Sequence, residues 1–168
     1  MAASPEIRPV DRLGIELLEI LLSVHLLKQT AADGDDFFSQ ARNLKVVTLL
    51  VNDIIVRLGK FREDDNRNWS FREVSKALAK STVTDSRAVA VGPAIKEFLQ
   101  NSKWLKDYRN LAVAHLPKRG AANLKPLTEL YQLVTLAVKV VDILAGEKNQ
   151  YKVGEVNLRE VAASSEDA

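Results

Sequence analysis

Residues 10–30, VDRLGIELLEILLSVHLLKQT, set the architecture of this chain because they read as one helix with a very narrow polar stripe. Arg12, Glu16, Glu19 and Ser23 repeat at helical spacing, and nearly every other residue of the stretch is apolar. A helix this apolar is covered on most of its sides, either in the middle of a bundle or against a second subunit. The most apolar part, Leu17 to Leu27, is bordered by Glu16 and interrupted by Glu19, and it is too short to span a bilayer.

A second long helix is predicted from about Phe37 to Phe61, after a turn in which Gly34 ends the first helix. Apolar residues repeat along it at helical spacing and mark one face: Leu44, Val47, Leu50, Val51, Ile54, Ile55 and Leu58. Two long helices joined by a short turn form an antiparallel hairpin.

Further helices follow this hairpin. Ser70 and Glu73 form a capping box that opens a third helix. A fourth contains Gly92-Pro93, which indicates a kink or a late start, and ends near Gln100. The next helix either begins afresh at 101–102 or continues the fourth. The last helix covers about 125–145, and its inward residues are predicted to be Leu127, Leu130, Leu133, Val134, Ala137, Val138, Val141 and Leu144.

The composition agrees with a helical protein, because only seven glycines and five prolines interrupt 168 residues of which 46% are hydrophobic. We therefore predict an all-α fold, an antiparallel bundle of five to six helices, as one domain over residues 1–146. Residues 147–168 are predicted to be a C-terminal extension that is partly disordered. A short extended arm is expected there from Tyr151, Val153, Val156 and Leu158.

Charge and cysteine content narrow the class of protein. The formal net charge is +2, so a basic surface over the whole molecule is excluded, although a local basic patch is compatible with it. The absence of cysteine excludes disulfides and thiolate metal sites. No secretory leader is recognisable at the N-terminus. We expect a cytoplasmic protein that crosses no membrane and needs neither a metal nor another cofactor.

Residues 104–118, WLKDYRNLAVAHLPK, are where candidate chemical groups gather beside a helix-ending proline. Arg109 lies on a stripe of one helix face that also contains Ile95, Phe98, Ser102, Leu105 and Ala112. An arginine at such a position requires a partner or an anionic ligand, since arginine is almost never buried alone. The simpler interpretation is a paired structural arginine, with His115 at a frayed helix end.

The motif from Arg109 to His115 is Arg-Asn, four apolar residues and His. It resembles the signature of the HEPN superfamily, the higher eukaryotes and prokaryotes nucleotide-binding domain. The run 105–118 is most similar to the branch linked to bacterial abortive infection and toxin–antitoxin loci. Residues 57–78, RLGKFREDDNRNWSFREVSKAL, also resemble that branch, so the similarity covers about residues 10–145.

This resemblance implies a symmetric dimer in which the two motif helices face each other near the two-fold axis. It also implies a metal-independent endoribonuclease that uses the ribose 2′-hydroxyl as nucleophile. His115 would act as general acid or base, Arg109 would hold the scissile phosphate, and Asn110 would position either group. Lys118 and Arg119 follow the helix and are candidates for contacts with the RNA backbone, or are simply solvated charges.

The expected partners are RNA, a second copy of the chain, and an antitoxin or another protein. One toxin variant carries a tyrosine two residues after the histidine, which is the target of nucleotidylation by its antitoxin. Pro117 stands there in this chain, so that regulation is not supported.

Two alternatives to an enzyme stay open. The first is a non-catalytic helical module that binds a protein or a nucleotide, which is favoured if an intramolecular carboxylate such as Asp53 or Glu19 holds Arg109. The second is a bundle with a ligand pocket under Trp104 and Tyr108, although such aromatics more often pack in cores or interfaces.

Overall fold

Helices α1 (Pro9–Ala31) and α2 (Phe37–Arg62) pack side by side and carry much of the bundle. A computed structural model of the chain describes residues 8–31, 37–63, 70–80, 86–114 and 127–164. The side-chain contacts of Ser23 with Asp53 and of Glu16 with Lys60 run in opposite directions along the two helices, so the pair is antiparallel. The predicted hairpin is confirmed.

Five further helices and one small hairpin complete the described part of the chain. They are α3 (Phe71–Ala79), α4 (Ser86–Asn101), α5 (Lys103–Ala114), α6 (Leu127–Ala145), β1 (Lys152–Val153), β2 (Val156–Asn157) and α7 (Leu158–Ala163). The all-α class is confirmed. The described ranges hold seven helices rather than the five to six predicted, because α7 follows the β1–β2 hairpin that forms where the extended arm was expected.

Helix α1 lies in the centre of the bundle, against α2, α6 and α7. Its inward residues have at most 1% of their surface exposed: Leu13, Leu17, Ile20, Leu21, Val24 and Leu27. Burial of six large aliphatic side chains contributes about 1.5–3 kcal/mol each to folding. Ile15 and Leu26, on the opposite side, are about half exposed, so α1 is not surrounded on all sides. No helix of the described ranges is long and apolar enough to cross a membrane.

Three phenylalanines join α2, α3 and α4. The ring of Phe61 stacks on that of Phe71 at 4.6 Å, and Phe71 meets Phe98 edge-to-face at 4.9 Å. All three are at most 1% exposed. The predicted cap holds α3 in this arrangement, because the Ser70 hydroxyl accepts a hydrogen bond from the backbone N–H of Glu73 at 3.2 Å.

Helix α6 buries the face that its sequence predicts, except at its first residue. Seven of the eight predicted inward residues are buried, whereas Leu127 is 41% exposed because it stands at the helix end. Gly146 ends the helix at φ +78°, a backbone conformation that favours glycine. The Arg87 guanidinium donates to the carbonyls of Leu144 and Ala145 and so satisfies part of the helix end.

An ion pair, hydrogen bonds from Lys28 and buried apolar residues dock the segment after α6 on the bundle. Both carboxylate oxygens of Asp142 accept hydrogen bonds from Arg159, at 2.6 and 2.9 Å, and Arg159 also donates to the carbonyl of Asn149. This bidentate geometry raises the pKa of Arg159, chiefly through the hydrogen bond to Asp142. Leu158 is fully buried beneath it. The predicted disorder at the chain end concerns residues 165–168, which lie outside the described ranges.

Tyr151 provides a pH-dependent contribution to stability. Burial, aided by the nearby Asp142 carboxylate, raises the pKa of its phenol to about 12 from 10.0. Because the folded-state pKa is the higher one, this contribution is complete below pH 10 and is lost as the pH rises through 12. We expect a loss on the order of 2 kcal/mol across that window. Urea unfolding at several pH values, with tyrosinate absorbance of the native protein, measures it.

Tyr151→Phe is the matched variant for this titration. It should remove the last tyrosinate step and flatten stability across the same window. An unchanged slope in this variant would show that another group causes the pH dependence.

Candidate functional site

The motif helix α5 begins as a new helix rather than as a continuation of α4. Ser102 lies between the two and is fully buried. Its N–H donates to the carbonyl of Phe98 at 2.9 Å, and its own carbonyl accepts from the N–H of Leu105 at 3.1 Å. Helix α4 ends at Asn101 and α5 begins at Lys103, so the choice left open by the sequence is settled in favour of two helices.

The predicted stripe along α4 and α5 is confirmed where its side chains are described. Ile95, Phe98, Ser102 and Leu105 are all at most 7% exposed. Position 109 follows Leu105 by one helical turn. A stripe that is buried up to this point strengthens the argument that a charged residue at 109 requires a partner.

The motif residues lie at the edge of the described structure. Arg109 and Asn110 are in α5, for which the backbone is described at 109–114. His115, Lys118 and Arg119 lie outside the described residues. The convergence of Arg109, Asn110 and His115, and the role of Lys118 and Arg119, therefore stay predictions.

The start of α5 packs against the end of α2. Leu105 and Lys106 line a small crevice of about 200 Å³ together with Gly59 and Arg62. This packing places the motif helix beside the C-terminal turn of α2.

The aromatic residues of α5 are packing residues. The rings of Trp104 and Tyr108 meet edge-to-face at 6.3 Å, and both side chains are half-buried against the core. Burial raises the pKa of Tyr108. Trp104 also lines a cavity of about 1090 Å³ between α4 and α6, whereas Tyr108 lines none of the larger cavities among the described residues, so the alternative of a ligand pocket stays open on the Trp104 side only.

Arg57 gathers the carboxylates between α1 and α2. Its Nε lies 3.0 Å from both oxygens of Asp53, and its terminal nitrogens lie 3.1 Å from Glu16 and 3.6 Å from Glu19. The hydroxyl of Ser23 also donates to Asp53, at 2.9 Å. This ion-pair cluster thus explains Glu16, Glu19 and Ser23 of the polar stripe of α1.

Arg57 therefore engages the two carboxylates that the sequence offered as partners for Arg109. Asp53 receives three hydrogen bonds through its two oxygens, and Glu19 faces the far end of the same guanidinium. The cluster holds three carboxylates against Arg57 and Lys60, so its excess charge is a single negative one.

A second site, which the sequence analysis missed, is a groove that we call the basic groove. Its cationic residues are Arg62, Arg72, Lys96 and Lys103, which come from α2, α3, α4 and α5. It encloses about 450 Å³, and its other lining residues are Gly92, Ile95, Leu99 and Gln100. No acidic residue of the described ranges lines it. Its members are spread over residues 62–103, so no local spacing in the sequence could have revealed it.

The described residues contain no group of three or more His, Asp or Glu side chains that could hold a metal ion. Arginine and lysine are instead the groups that bind anions, so the groove is suited to phosphate or carboxylate. Comparison of the chain with models of known protein families, with curated proteins and with solved structures finds no match.

Proposed function

We propose that this chain is a HEPN-like, metal-independent endoribonuclease that acts in the cytoplasm as an effector of a bacterial phage-defence or toxin–antitoxin system. It cuts RNA by attack of the ribose 2′-hydroxyl, in a composite site of two chains. Arg109, Asn110 and His115 carry the reaction, and Lys118 and Arg119 bind the RNA backbone.

The observation that favours this function over a non-catalytic module is the engagement of Asp53 and Glu19 by Arg57. The non-catalytic interpretation needs an intramolecular carboxylate for Arg109, and these were its two best candidates. Asp53 already accepts hydrogen bonds from Arg57 and Ser23. Arg109, which continues the buried stripe, therefore requires a different anion. A phosphate supplies one.

The chemistry assigned to each residue follows from its side chain. A histidine near its reference pKa exchanges protons at neutral pH, so it activates the 2′-hydroxyl or protonates the leaving oxygen. Arginine offers a planar fork to two phosphate oxygens. On an ideal helix, positions 109 and 115 are rotated by about 240° from each other. Two chains therefore supply the two groups more readily than one straight helix does.

An uncovered apolar face on α2 supports the second copy. Leu44 is 69% exposed and Leu49 is 60% exposed, while Val47, Leu50 and Val51 are only half-buried. The stripe of Leu44, Val47, Leu50 and Val51 is fully buried further along, at Ile54 and Leu58, and Leu49 lies about 140° around the helix from Leu44. Large apolar side chains left exposed together mark interaction surfaces, and a symmetric dimer buries the same patch on both chains.

The double substitution Leu44→Glu/Leu49→Glu tests this surface. We expect the wild type to elute at twice the mass of one chain in size-exclusion chromatography with light scattering, and the variant at the mass of one chain. Val89→Glu is the matched control, because Val89 is 76% exposed on α4 and should leave the dimer intact. A wild-type protein that is monomeric at every concentration would contradict the composite site.

RNA degradation by purified protein with EDTA present tests the activity. Wild type should cut RNA, and His115→Ala and Arg109→Ala should lose cleavage while circular dichroism shows unchanged folding. Equal trace cleavage by all three proteins would indicate a contaminating nuclease and favour the binding module.

A further inference from the structure

We propose that the basic groove is a phosphate-binding site that holds the backbone of the RNA substrate beside the motif helix. The choice of RNA rests on the proposed function, whereas the preference for phosphate rests on the groove alone. The residues of the groove are different from Arg109, His115, Lys118 and Arg119. The proposal gives a role to side chains that neither the motif nor the core explains.

The first argument is the concentration of one sign of charge. The whole chain is nearly neutral, with 24 basic and 22 acidic residues, yet four cations and no described carboxylate line this groove. The ion-pair cluster around Arg57 shows the usual arrangement, in which carboxylates surround a guanidinium. Lys96 and Lys103 have no ion-pair partner among the described residues, and their charges repel those of Arg62 and Arg72 unless a bound polyanion removes that repulsion.

The second argument is the chemistry of the individual groups. The Nη1 atom of Arg62 is buried and has no hydrogen-bond partner, so the wall of the groove contains a donor without an acceptor. Arg72 has an interaction of its own and contributes its charge. Lys96 and Lys103 are exposed at the rim and form no ion pair within the described ranges. Guanidinium forks and mobile ammonium groups together fit phosphate oxygens better than a single carboxylate.

The third argument is position. Lys103 is the first residue of α5, and Arg109 lies six residues further along the same helix. At 1.5 Å per residue these positions are about 9 Å apart along the helix axis. Six positions also rotate the two residues by about 240° around the helix, so a strand bound in the groove reaches position 109 by passing around α5 over that distance. Ile95 and Leu99 add an apolar floor on which a sugar or a base edge packs.

Fluorescence polarisation with a labelled, short 2′-O-methyl RNA tests the groove, because this probe cannot undergo 2′-hydroxyl attack. The test variant is Lys96→Glu/Lys103→Glu. The matched control is Lys148→Glu/Lys152→Glu, which makes the same change in net charge at two exposed lysines that do not line the groove. We expect the affinity of the groove variant to fall at least tenfold, and that of the control to stay within about twofold.

Salt dependence provides a second measure of the same contacts. Loss of two phosphate contacts should lower the slope of log affinity against log salt by about 1.4. Equal weakening by both double variants, or an unchanged slope in the groove variant, would overturn the proposal, as would the absence of RNA binding by wild type. Inorganic phosphate and ATP serve as competitors. If either displaces the RNA at concentrations comparable to the RNA itself, the groove is a site for free phosphate compounds and the RNA assignment is wrong.

Binding and cleavage fail separately in these experiments. If wild type binds the probe through the groove but does not cut RNA, the nuclease proposal is refuted and the groove proposal stands. If the Lys96→Glu/Lys103→Glu variant cuts RNA as well as wild type, the nuclease proposal stands and the groove proposal is refuted.

Discussion

Mixing Arg109→Ala and His115→Ala proteins should restore RNA cleavage that neither protein has alone. Each single variant is expected to lose between about a hundredfold and ten-thousandfold in rate, which is the usual range for removal of a proton-transfer group or a phosphate-binding group. In a composite site the arginine and the histidine come from different chains. A mixed dimer therefore contains one intact site and one site that lacks both groups.

The expected recovery is quantitative. Random exchange of chains at equal amounts makes half of the dimers mixed, and each mixed dimer has one working site of two, so activity returns to about a quarter of wild type. The measurement is cleavage of RNA in EDTA after exchange of the mixed chains, beside each variant exchanged with itself. No recovery, with mixed dimers demonstrated by a tag on one chain, would place both groups in one chain. Full activity of either single variant would exclude its residue from the reaction.

Phe98→Ala is expected to lower the free energy of unfolding by about 3–5 kcal/mol, the usual loss for a large aromatic ring deleted from a core. Phe98 is fully buried and contacts Phe71, which in turn stacks on Phe61, so the cavity would open where α2, α3 and α4 meet. Urea unfolding followed by tryptophan fluorescence measures this loss. Since natural domains have about 5–15 kcal/mol in total, the variant is expected to be only marginally folded.

Two comparisons make this result interpretable. Val89→Ala removes methyl groups from the same helix at a site that is 76% exposed, and it should change stability by less than about 0.5 kcal/mol. Phe98→Leu keeps most of the volume and should cost much less than Phe98→Ala. A loss below about 1 kcal/mol in Phe98→Ala would show that the three rings do not form the core described above.

The helices were predictable where a local pattern specifies them. The apolar runs of α1, α2 and α6 repeat at 3.6 residues per turn over five or more turns, and so long a repeat leaves little ambiguity. The cap of α3 was readable because Ser70 and Glu73 lie three residues apart, within reach of one hydrogen bond. Leu127 was predicted wrongly because periodicity assigns a residue to a helix face but does not show that the residue stands at the end of its helix.

The C-terminal segment was less predictable. Residues 147–164 are thin in apolar content, yet Tyr151 and Leu158 are buried and α7 forms. They are held by contacts between residues distant in the sequence, such as Arg159 with Asp142 and Lys28 with Val161. A pattern read in windows of one or two turns cannot detect such a pair.

The candidate site likewise has a part that the sequence predicts and a part that only the fold determines. The Arg-Asn motif with its histidine is a local signal, and so it was found in the chain before any fold was known. The engagement of Asp53 and Glu19 by Arg57, and the meeting of Arg62, Arg72, Lys96 and Lys103 in one groove, required the packed bundle. Helical periodicity acts between residues a few positions apart, whereas the charge that surrounds a side chain is set by residues that packing brings from anywhere in the chain.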